Sequence, residues 1–281
     1  MTGMVSGTAT KPYERIRLEI EGRIAQVTLD RPGKLNALDP VMLDELLDAL
    51  LRVRRSDASA LVLGASGRAF CAGVDLASSF FMEGVEGGSA FAGQRLLEWQ
   101  HELIQAIYDL PQVTVCAVNG EAVGGGGFGM AMACDLRFAS PEARFWMIPI
   151  KVDVVQDFGL TWLLQRAIGQ PRTMEMLMTG RAIGAAEAER WGIVNAVVPA
   201  AELRGAAMGV ATTVAAAGHD AVLLSKQVVR HGAQVDLRTE LHHEAVANGL
   251  CFHSAEFLAK QRAFRTRALG SGGAPAEGRS A

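Results

Sequence analysis

The chain has 281 residues, of which 49% are hydrophobic, and a formal net charge of −3 at pH 7. This length and apolar content suffice for one large core or two small ones, and the balanced charge argues against a nucleic-acid partner or a charged membrane surface. No stretch is long and apolar enough to span a bilayer, and the N-terminus lacks a secretory signal pattern, so we expect a cytoplasmic protein. The widely spaced cysteines form no metal-binding pattern, and Cys71 is interpreted as a buried packing residue.

The first half of the chain alternates strands with helices. Apolar alternation predicts a hairpin over 15–29, and Asp39 fits the N-cap of a helix over 40–54. A strand follows at 60–64 and a helix at 94–110. Repeated strand–turn–helix units of this kind indicate an α/β fold with crossover connections.

A strand, a glycine-rich turn and a helix then follow one another. The β-branched run 113–118 is the strand, and the glycines at 124–127 open an apolar helical segment at 128–134. Glycine lets the backbone approach a ligand closely, and the first N–H groups of a helix have no intrahelical acceptor. Such a turn suits an anion, or an oxygen that becomes one.

Two ligands would fit this turn. The spacing Gly124-x-Gly126-x-x-Gly129 matches the dinucleotide-binding fingerprint, although Arg144 stands where that fingerprint has an acidic residue. The other interpretation is an oxyanion hole, in which backbone N–H groups stabilise charge that develops on a carbonyl oxygen. An oxyanion hole needs a second donor, and the segment 67–75, which also follows a strand, is a candidate.

Four separated motifs, in this order, carry a resemblance that covers about residues 16–262. They are LDRPGKLNAL (29–38), GRAFCAGVDL (67–76), VNGEAVGGGGFGMAMACDLRFA (118–139) and MTGRAIGAAEAERWGIVNAVVP (178–199). On these motifs the sequence resembles the crotonase family of enoyl-CoA hydratases and isomerases. The resemblance implies an acyl-CoA thioester as substrate, with coenzyme A as part of that substrate and no separate cofactor.

The resemblance also implies a fold and an assembly: an α/β, crotonase-like spiral of ββα units, with a C-terminal helical oligomerisation region that forms a homotrimer or a dimer of trimers. We expect disordered tails at 1–11 and 269–281, a spiral core at 12–198 and a helical trimerisation region at 199–268. Apolar spacing predicts the helices of that last region at 203–217, 221–231, 237–250 and 255–267.

In this family two backbone N–H groups bind the thioester oxygen. The resemblance assigns one to Val74 and the other to Gly125 or Gly126. Counting forward from Asn119 selects Gly125, whereas counting back from Asp135 selects Gly126, because the turn is one residue longer than the common version.

The acid–base groups depart from the hydratase pattern. Hydratases of the family hold a water between two glutamates, whose positions here fall at Gly129 (or Phe128 on the other count) and Pro149. None of these residues can transfer a proton, so ordinary two-glutamate hydration is not expected.

One carboxylate remains at a catalytic position of the family. Asp157 stands where some isomerases carry Glu or Asp, and where chloroarene-CoA dehalogenases carry a nucleophilic Asp. A single carboxylate beside an oxyanion hole is enough to move a proton between two carbons of a dienolate. The alternative is that Asp157 caps the helix that starts near Phe158.

His101 supports a second chemistry. It falls on the position of the base histidine of the dehalogenases, and a His–Asp pair could support nucleophilic attack followed by hydrolysis. The tryptophan of those enzymes would fall at Pro149, and Trp146 is not in register to replace it. The alternative for His101 is a packing residue on an amphipathic helix.

The resemblance gives candidates for contacts with coenzyme A. Arg31, Lys34 and Lys260 are the cations expected near its phosphates, the last from a neighbouring subunit, and Ala72 and Asp75 are expected along its path. The alternative for each cation is a solvated surface residue.

The remaining polar motifs have structural interpretations. Asp75 and Asp135 are expected to anchor turns through hydrogen bonds to the backbone. The adjacent residues His242, His243 and Glu244 point to different sides of a helix, so we predict no metal site there. The leading hypothesis is enoyl-CoA isomerisation, or hydration by a non-standard site. The alternatives are a CoA-thioester hydrolase or dehalogenase, and an inactive acyl-CoA-binding protein.

Overall fold

The computed structural model describes residues 12–78 and 88–270, with side chains described to residue 266. The chain separates into two compact units, the first ending at Ala215 and the second beginning at Ala216. The tail predicted at 1–11 and most of the one predicted at 269–281 lie outside the described residues.

The strands lie in the first unit and form two sheets. In chain order they are β1 (Ile16–Glu21), β2 (Ile24–Leu29), β3 (Ala60–Ala65), β4 (Val113–Val118), β5 (Glu121–Val123), β6 (Leu136–Ala139), β7 (Arg144–Trp146), β8 (Ala182–Gly184) and β9 (Ala196–Val197). The larger sheet has the order β1-β2-β3-β4-β6-β9 and is parallel except for the β1–β2 hairpin. The smaller sheet has the order β5-β7-β8, with β5 and β7 parallel.

Helices connect the parallel strands and continue through the second unit. Those of the first unit are α1 (Pro40–Arg54), α2 (Ala90–Tyr108), α3 (Met130–Ala133), α4 (Leu160–Thr179), α5 (Ala185–Trp191) and α6 (Leu203–Ala215). Those of the second unit are α7 (His219–Gly232), α8 (Leu237–Cys251) and α9 (Ala255–Gly270). Among the described residues no single helix is long and apolar enough to cross a membrane. The consecutive helical segments Ala200–Ala215 and His219–Gly232 reach the necessary length and apolar content only when they are taken together.

The predicted α/β fold is confirmed, as is the N-terminal hairpin. The Asp39 carboxylate accepts the Met42 N–H at 2.8 Å and caps α1, as the sequence predicted. Several helix boundaries were wrong: α2 begins at Ala90 rather than at 94, α6 ends at Ala215 rather than at 217, and α7 begins at His219 rather than at 221. A π-helical turn also precedes the short helix α3. The strands β5, β8 and β9 were not anticipated, because two or three residues are too few for an alternating pattern.

The central strands β3 and β4 of the larger sheet are buried on both faces, which explains their continuous apolar runs. Alternate residues of β3 and β4 face opposite layers. One set packs into the main core with α1 and α2, and includes Leu61, Leu63, Cys116 and Val118. The other set packs against α6, and the side chains in that layer are Ala60, Val62, Val115, Ala117, Leu203, Ala207 and Ala211. The first unit therefore includes α6, beyond the core expected at 12–198.

The loop after β3 lies beside β5, the short strand that joins β4 to the glycine turn, through a bridge between Cys71 and Ala122. The strands β3 and β4 pair in parallel, with Ala60 opposite Val113, so their carboxyl ends meet at one edge of the sheet. Ligands of parallel α/β sheets bind at that edge. The fold thus brings together the two glycine-containing loops that the sequence proposed as one site.

The buried side chain of Asn36 fixes the loop after β2 to the loop after β3. Its Oδ1 accepts the Arg31 N–H at 2.8 Å, and its Nδ2 donates to the carbonyls of Ser66 and Ala69 at 2.9 Å. Its φ of +55° lies in the left-handed region, which asparagine tolerates better than most residues. Asn36 therefore satisfies three backbone groups that side chains of other types would leave unpaired.

We predict that Asn36→Ala lowers the free energy of unfolding by about 3 kcal/mol, because it leaves three backbone groups unpaired and forces alanine into a left-handed conformation. Asn36→Gly removes the same hydrogen bonds without the backbone strain and should lose about 1–2 kcal/mol less. Urea unfolding at matched protein concentration measures both variants. Wild-type stability in Asn36→Ala would contradict this account of the loop.

Candidate active site

In the loop after β3, hydrogen bonds hold the backbone on both sides of Val74. On either side of Val74, the Leu38 N–H donates to Gly73 O at 2.8 Å and the Asp75 N–H donates to Leu38 O at 2.9 Å. The Val74 N–H itself has no protein acceptor in the part of the chain that the structure describes. A donor held between two fixed neighbours is what an oxyanion hole requires.

The glycine turn after β5 packs against this loop, backbone to backbone. A Cβ built on Gly127 would lie 2.2 Å from Cys71 O, and one built on Gly126 would lie 3.3 Å from the Val74 nitrogen. Any side chain at Gly127 would therefore separate the two loops. The turn itself, Gly125–Gly129, is π-helical, a form that accommodates one extra residue within a turn.

The two glycines proposed for the second donor have different neighbours. Gly126 packs against the Gly73–Val74 peptide, with its Cβ position 3.1 Å from Gly73 C. Gly125 faces Asp157 and Phe158, with its Cβ position 2.6 Å from Asp157 Oδ1. Both N–H groups belong to the first turn of the helical segment, where no intrahelical acceptor is available.

Asp157 lies against the glycine turn and does not cap α4. The N-cap of α4 is Gly159, and no side chain hydrogen-bonds to that helix end. Burial raises the pKa of the Asp157 carboxyl above its ordinary value, and the nearby His101 opposes the rise. The carboxylate is therefore less well solvated than a surface aspartate, as expected of a group that exchanges protons.

His101 on α2 holds the backbone next to Asp157. Its Nε2 accepts the Phe158 N–H at 3.1 Å, and its ring contacts the Phe158 ring edge-to-face with centroids 5.5 Å apart. This hydrogen bond assigns the proton of the neutral imidazole to Nδ1. Phe158 is fully buried with a φ of +53°, a conformation that costs free energy and needs such support.

Gln156, which the sequence reasoning did not select, also contacts the carboxylate. Its Nε2 lies 3.4 Å from Asp157 Oδ1 and 3.2 Å from Asp157 O. Its side chain is buried, and Oε1 has no hydrogen-bond partner among the described residues. Nothing in the local pattern distinguished Gln156 from a surface glutamine.

The positions that the family resemblance assigns to the two hydratase glutamates can be located in the structure, and none of them holds a proton-transferring side chain. Gly129 faces Phe158, and a Cβ there would lie 3.1 Å from Phe158 Cβ and 3.2 Å from Phe158 O. Phe128, the other candidate, is fully buried against Phe145, with ring centroids 5.2 Å apart. Pro149 begins a short 3₁₀ turn, Pro149–Val152.

Arg31 is engaged by carboxylates. Its guanidinium pairs with Asp75 at 2.8 Å and with Asp39 at 3.4 Å, and donates to Ala37 O at 3.0 Å. Burial would raise the pKa of Asp75, but the hydrogen bond from Arg31 holds that pKa below its ordinary value. Asp75 also accepts the Ala77 N–H at 3.1 Å, so it anchors its turn as predicted.

The other candidates for coenzyme A contacts are spread over both units. Lys34 is exposed, and the Ala72 N–H donates to Leu35 O at 3.0 Å. Lys260 is an exposed residue of α9 in the second unit.

Asp135 and Cys71 have the structural roles that the sequence predicted. Asp135 anchors its turn as predicted, because its carboxylate accepts the N–H and the hydroxyl of Thr114 at 2.8 and 2.9 Å. Cys71 is buried as predicted, and burial raises the pKa of its thiol to about 12. The thiolate needed for nucleophilic attack is therefore scarce near neutral pH.

The sequence model of the enoyl-CoA hydratase/isomerase family matches residues 19–266, so the chain belongs to that family. It is 34% identical over 242 residues to the short-chain-enoyl-CoA hydratase of Clostridium acetobutylicum, covering 85% of this chain and 90% of that protein. It is 33% identical over 256 residues to 4-chlorobenzoyl coenzyme A dehalogenase-2 of an Arthrobacter species, covering 90% and 92%. The crystal structure of an enoyl-CoA hydratase from Bacillus anthracis superposes with a TM-score of 0.83 at 30% identity, covering 90% of this chain and 97% of that one. The crotonase fold and an acyl-CoA class of enzyme follow from this membership.

We predict that Asp157→Asn is more stable than the wild type near pH 7. The raised pKa means that ionised Asp157 destabilises the folded state, and this penalty grows as pH rises from the ordinary aspartate value of about 3.9 through the raised value. Neutral asparagine avoids the penalty, so the difference in unfolding free energy should shrink as pH falls toward 4. Denaturant unfolding at several pH values measures the difference.

Asp153→Asn is the matched control, because Asp153 is exposed and asparagine also tolerates its φ of +57°. It should show no comparable stabilisation. Destabilisation in Asp157→Asn would instead mean that the carboxylate has a structural role.

Proposed function

We propose that this protein isomerises the carbon–carbon double bond of an enoyl-CoA thioester, with Asp157 as the only proton shuttle. The observation that carries this proposal is the poorly solvated Asp157 carboxylate beside the glycine turn. The positions that the resemblance assigns to the hydratase glutamates hold no proton-transferring residue, which also favours isomerisation. Isomerisation needs one group that takes a proton and returns it, whereas ordinary hydration needs two groups to hold a water.

The Val74 N–H and one glycine N–H bind the thioester oxygen in this mechanism. We assign the glycine donor to Gly126, because it packs against the Gly73–Val74 peptide, whereas Gly125 faces the carboxylate. These hydrogen bonds strengthen as the carbonyl becomes an enolate, and one such donor lowers the barrier by about 3–4 kcal/mol.

Asp157 moves the proton. Starting from a 3-enoyl thioester, the carboxylate removes a proton from C2, and the electrons spread over the dienolate to the thioester oxygen. The carboxylic acid then returns the proton to C4, which gives the 2-enoyl thioester with no net change in atoms. The raised pKa of Asp157 makes it a stronger base than a surface aspartate.

His101 acts as a positioning residue in this proposal. Its Nε2 already accepts the Phe158 N–H, so that nitrogen is not available to remove a proton from water. It supports the strained backbone that carries Asp157.

Hydrolytic dehalogenation is the second candidate. Its support is the likeness to 4-chlorobenzoyl coenzyme A dehalogenase-2 and the closeness of His101 to Asp157. In that chemistry Asp157 would displace chloride from the ring, and the resulting aryl ester would be hydrolysed with His101 as base. The hydrogen bond to Phe158 would have to break first.

We predict that the protein interconverts 3-enoyl-CoA and 2-enoyl-CoA and exchanges the C2 proton in deuterated water. Asp157→Asn should slow both by about 10²–10⁴-fold, because it removes the general base. Asp153→Asn should retain the wild-type rates. Mass spectrometry of the recovered thioesters measures exchange and isomerisation together.

Three results would each exclude the isomerase mechanism and identify another activity. Formation of 3-hydroxyacyl-CoA from crotonyl-CoA without isomerisation would identify a hydratase with a non-standard site. Chloride release from 4-chlorobenzoyl-CoA that is lost in His101→Gln would identify the dehalogenase. Tight binding of both enoyl thioesters without exchange would identify an inactive acyl-CoA-binding protein.

We also propose that copies of the chain associate through the second unit, as a trimer or a dimer of trimers. Its helices expose large apolar side chains that a monomer would leave in water, namely Val229, Leu237, Leu241, Val246, Leu250, Phe252 and Phe264. In such an assembly Lys260 of one copy would contact the coenzyme A phosphates near Lys34 of another copy. The resemblance to the family implies this arrangement.

We predict a mass of three or six chains in sedimentation equilibrium. Replacing two exposed apolar residues of α8, Leu241 and Leu250, by glutamate should shift the protein toward smaller species, because charges in an apolar interface are costly. Glutamate at the exposed α1 residue Val41 is the control and should leave the mass unchanged. A monomeric wild type at micromolar concentration would contradict the proposed assembly.

A further inference from the structure

The second unit contains a cluster of three metal-ligating side chains that has no role in the proposed reaction. His231 lies near the end of α7, and Glu240 and His243 lie on α8. One ligand atom of each residue lies within 4.8 Å of the other two. Glu240 and His243 are three positions apart, so they share a face of α8 that is turned toward His231.

From this geometry we propose that His231, Glu240 and His243 form a Zn²⁺ site that ties α7 to α8. Two imidazoles and one carboxylate are a ligand set that zinc uses in proteins, usually with a water in the fourth position. His231 and His243 are partly or well exposed, which leaves room for that water. Nothing in the enoyl-CoA chemistry proposed above requires the ion.

Two of the three ligand separations fit a tetrahedral site. The Nδ1 atoms of His231 and His243 lie 3.4 and 3.6 Å from Glu240 Oε2. Ligands bound to zinc at about 2.0–2.1 Å in a tetrahedron are about 3.4 Å apart. The two imidazoles contact each other edge-to-face with ring centroids 4.0 Å apart, so they would turn apart to bind the ion between them.

The polar atoms of this cluster are incompletely paired without an ion. Glu240 Oε1 and His243 Nδ1 are buried and have no hydrogen-bond partner among the described residues. The Glu240 side chain is only 13% exposed. A buried carboxylate with an unpaired oxygen is costly, and a bound cation would offset that cost.

Gly232 leaves the space that the carboxylate occupies. A Cβ built on this residue, which directly follows His231, would lie 2.9 Å from Glu240 Cδ and 3.2 Å from Oε1. Alanine at this position would push the carboxylate away from the two imidazoles.

The sequence did not predict this site. The metal-ligating residues that are adjacent in the sequence, His242, His243 and Glu244, do not share a face of the helix. The grouping that the structure brings together uses only His243 of those three. His231 joins it across the turn between two helices, and spacing within one helix cannot reveal such a partner.

The test is zinc binding by the full-length protein. We expect one Zn²⁺ per chain after dialysis against a zinc buffer, measured by atomic emission, and a higher melting temperature with added zinc, because the ion binds the folded state. His231→Asn, Glu240→Gln and His243→Asn should each weaken binding by about a hundredfold or more and abolish the shift. Gly232→Ala should weaken binding through crowding of Glu240.

His242→Asn is the matched control, because His242 is exposed, adjacent to His243 and outside the cluster. It should retain the zinc stoichiometry and the melting shift. Melting temperatures without zinc identify any variant that fails to fold, and the Glu240→Gln replacement keeps the side-chain shape if a histidine variant is unstable.

Two results would overturn the proposal. One is a wild type that retains no more zinc than Glu240→Gln, which would identify a metal-free hydrogen-bonded cluster. The other is zinc binding that persists in all three ligand variants, which would identify a different site. Neither result bears on enoyl-CoA turnover, so this proposal and the proposed function can fail independently.

Discussion

The candidate site depends on the close approach of two backbones. The loop after β3 and the turn after β5 meet where Gly126 and Gly127 have no side chain, and a single methyl group at Gly127 would overlap the Cys71 carbonyl. This contact places the Gly73–Val74 peptide beside the first turn of the glycine segment. Neighbouring backbone hydrogen bonds hold the peptide groups on both sides of Val74. Preorganised donors stabilise developing charge better than solvent, which must first reorient.

A second constraint concerns the carboxylate. Asp157 precedes α4 on a backbone that passes through left-handed conformations at Phe158 and Gly159. His101 lies on α2, and its Nε2 accepts the Phe158 N–H, which supports this bend. The arrangement keeps Asp157 beside the glycine turn and away from the helix end, where it would otherwise act as an ordinary cap. Local strain at Phe158 and a poorly solvated Asp157 carboxylate therefore belong to one feature of the fold, and both reduce its stability.

Much of the fold could be predicted because long elements have strong patterns. The β1–β2 hairpin, α1 with its Asp39 cap, and β4 followed by glycines all follow from apolar spacing and turn residues. The motifs also selected Val74, the glycine pair and Asp157 as one site, and the fold brings those segments together. The contacts that depend on three dimensions could not be predicted. No sequence rule gives Phe158 a left-handed conformation, links His101 to its N–H, or places Gln156 beside the carboxylate. The short strands β5, β8 and β9 are defined by pairing with strands that are distant in the sequence, which local patterns do not reveal.

The charged cluster around Arg31 has a consequence for any polyanion bound by this fold. Arg15 and Arg31 share Asp39, and Arg31 also pairs with Asp75, so two cations face two anions. The cluster is formally neutral, and a phosphate that approached it would meet a guanidinium that is already paired with two carboxylates. If the protein binds acyl-CoA as proposed above, exposed lysines such as Lys34, and not Arg31, would therefore contact the nucleotide end of the thioester.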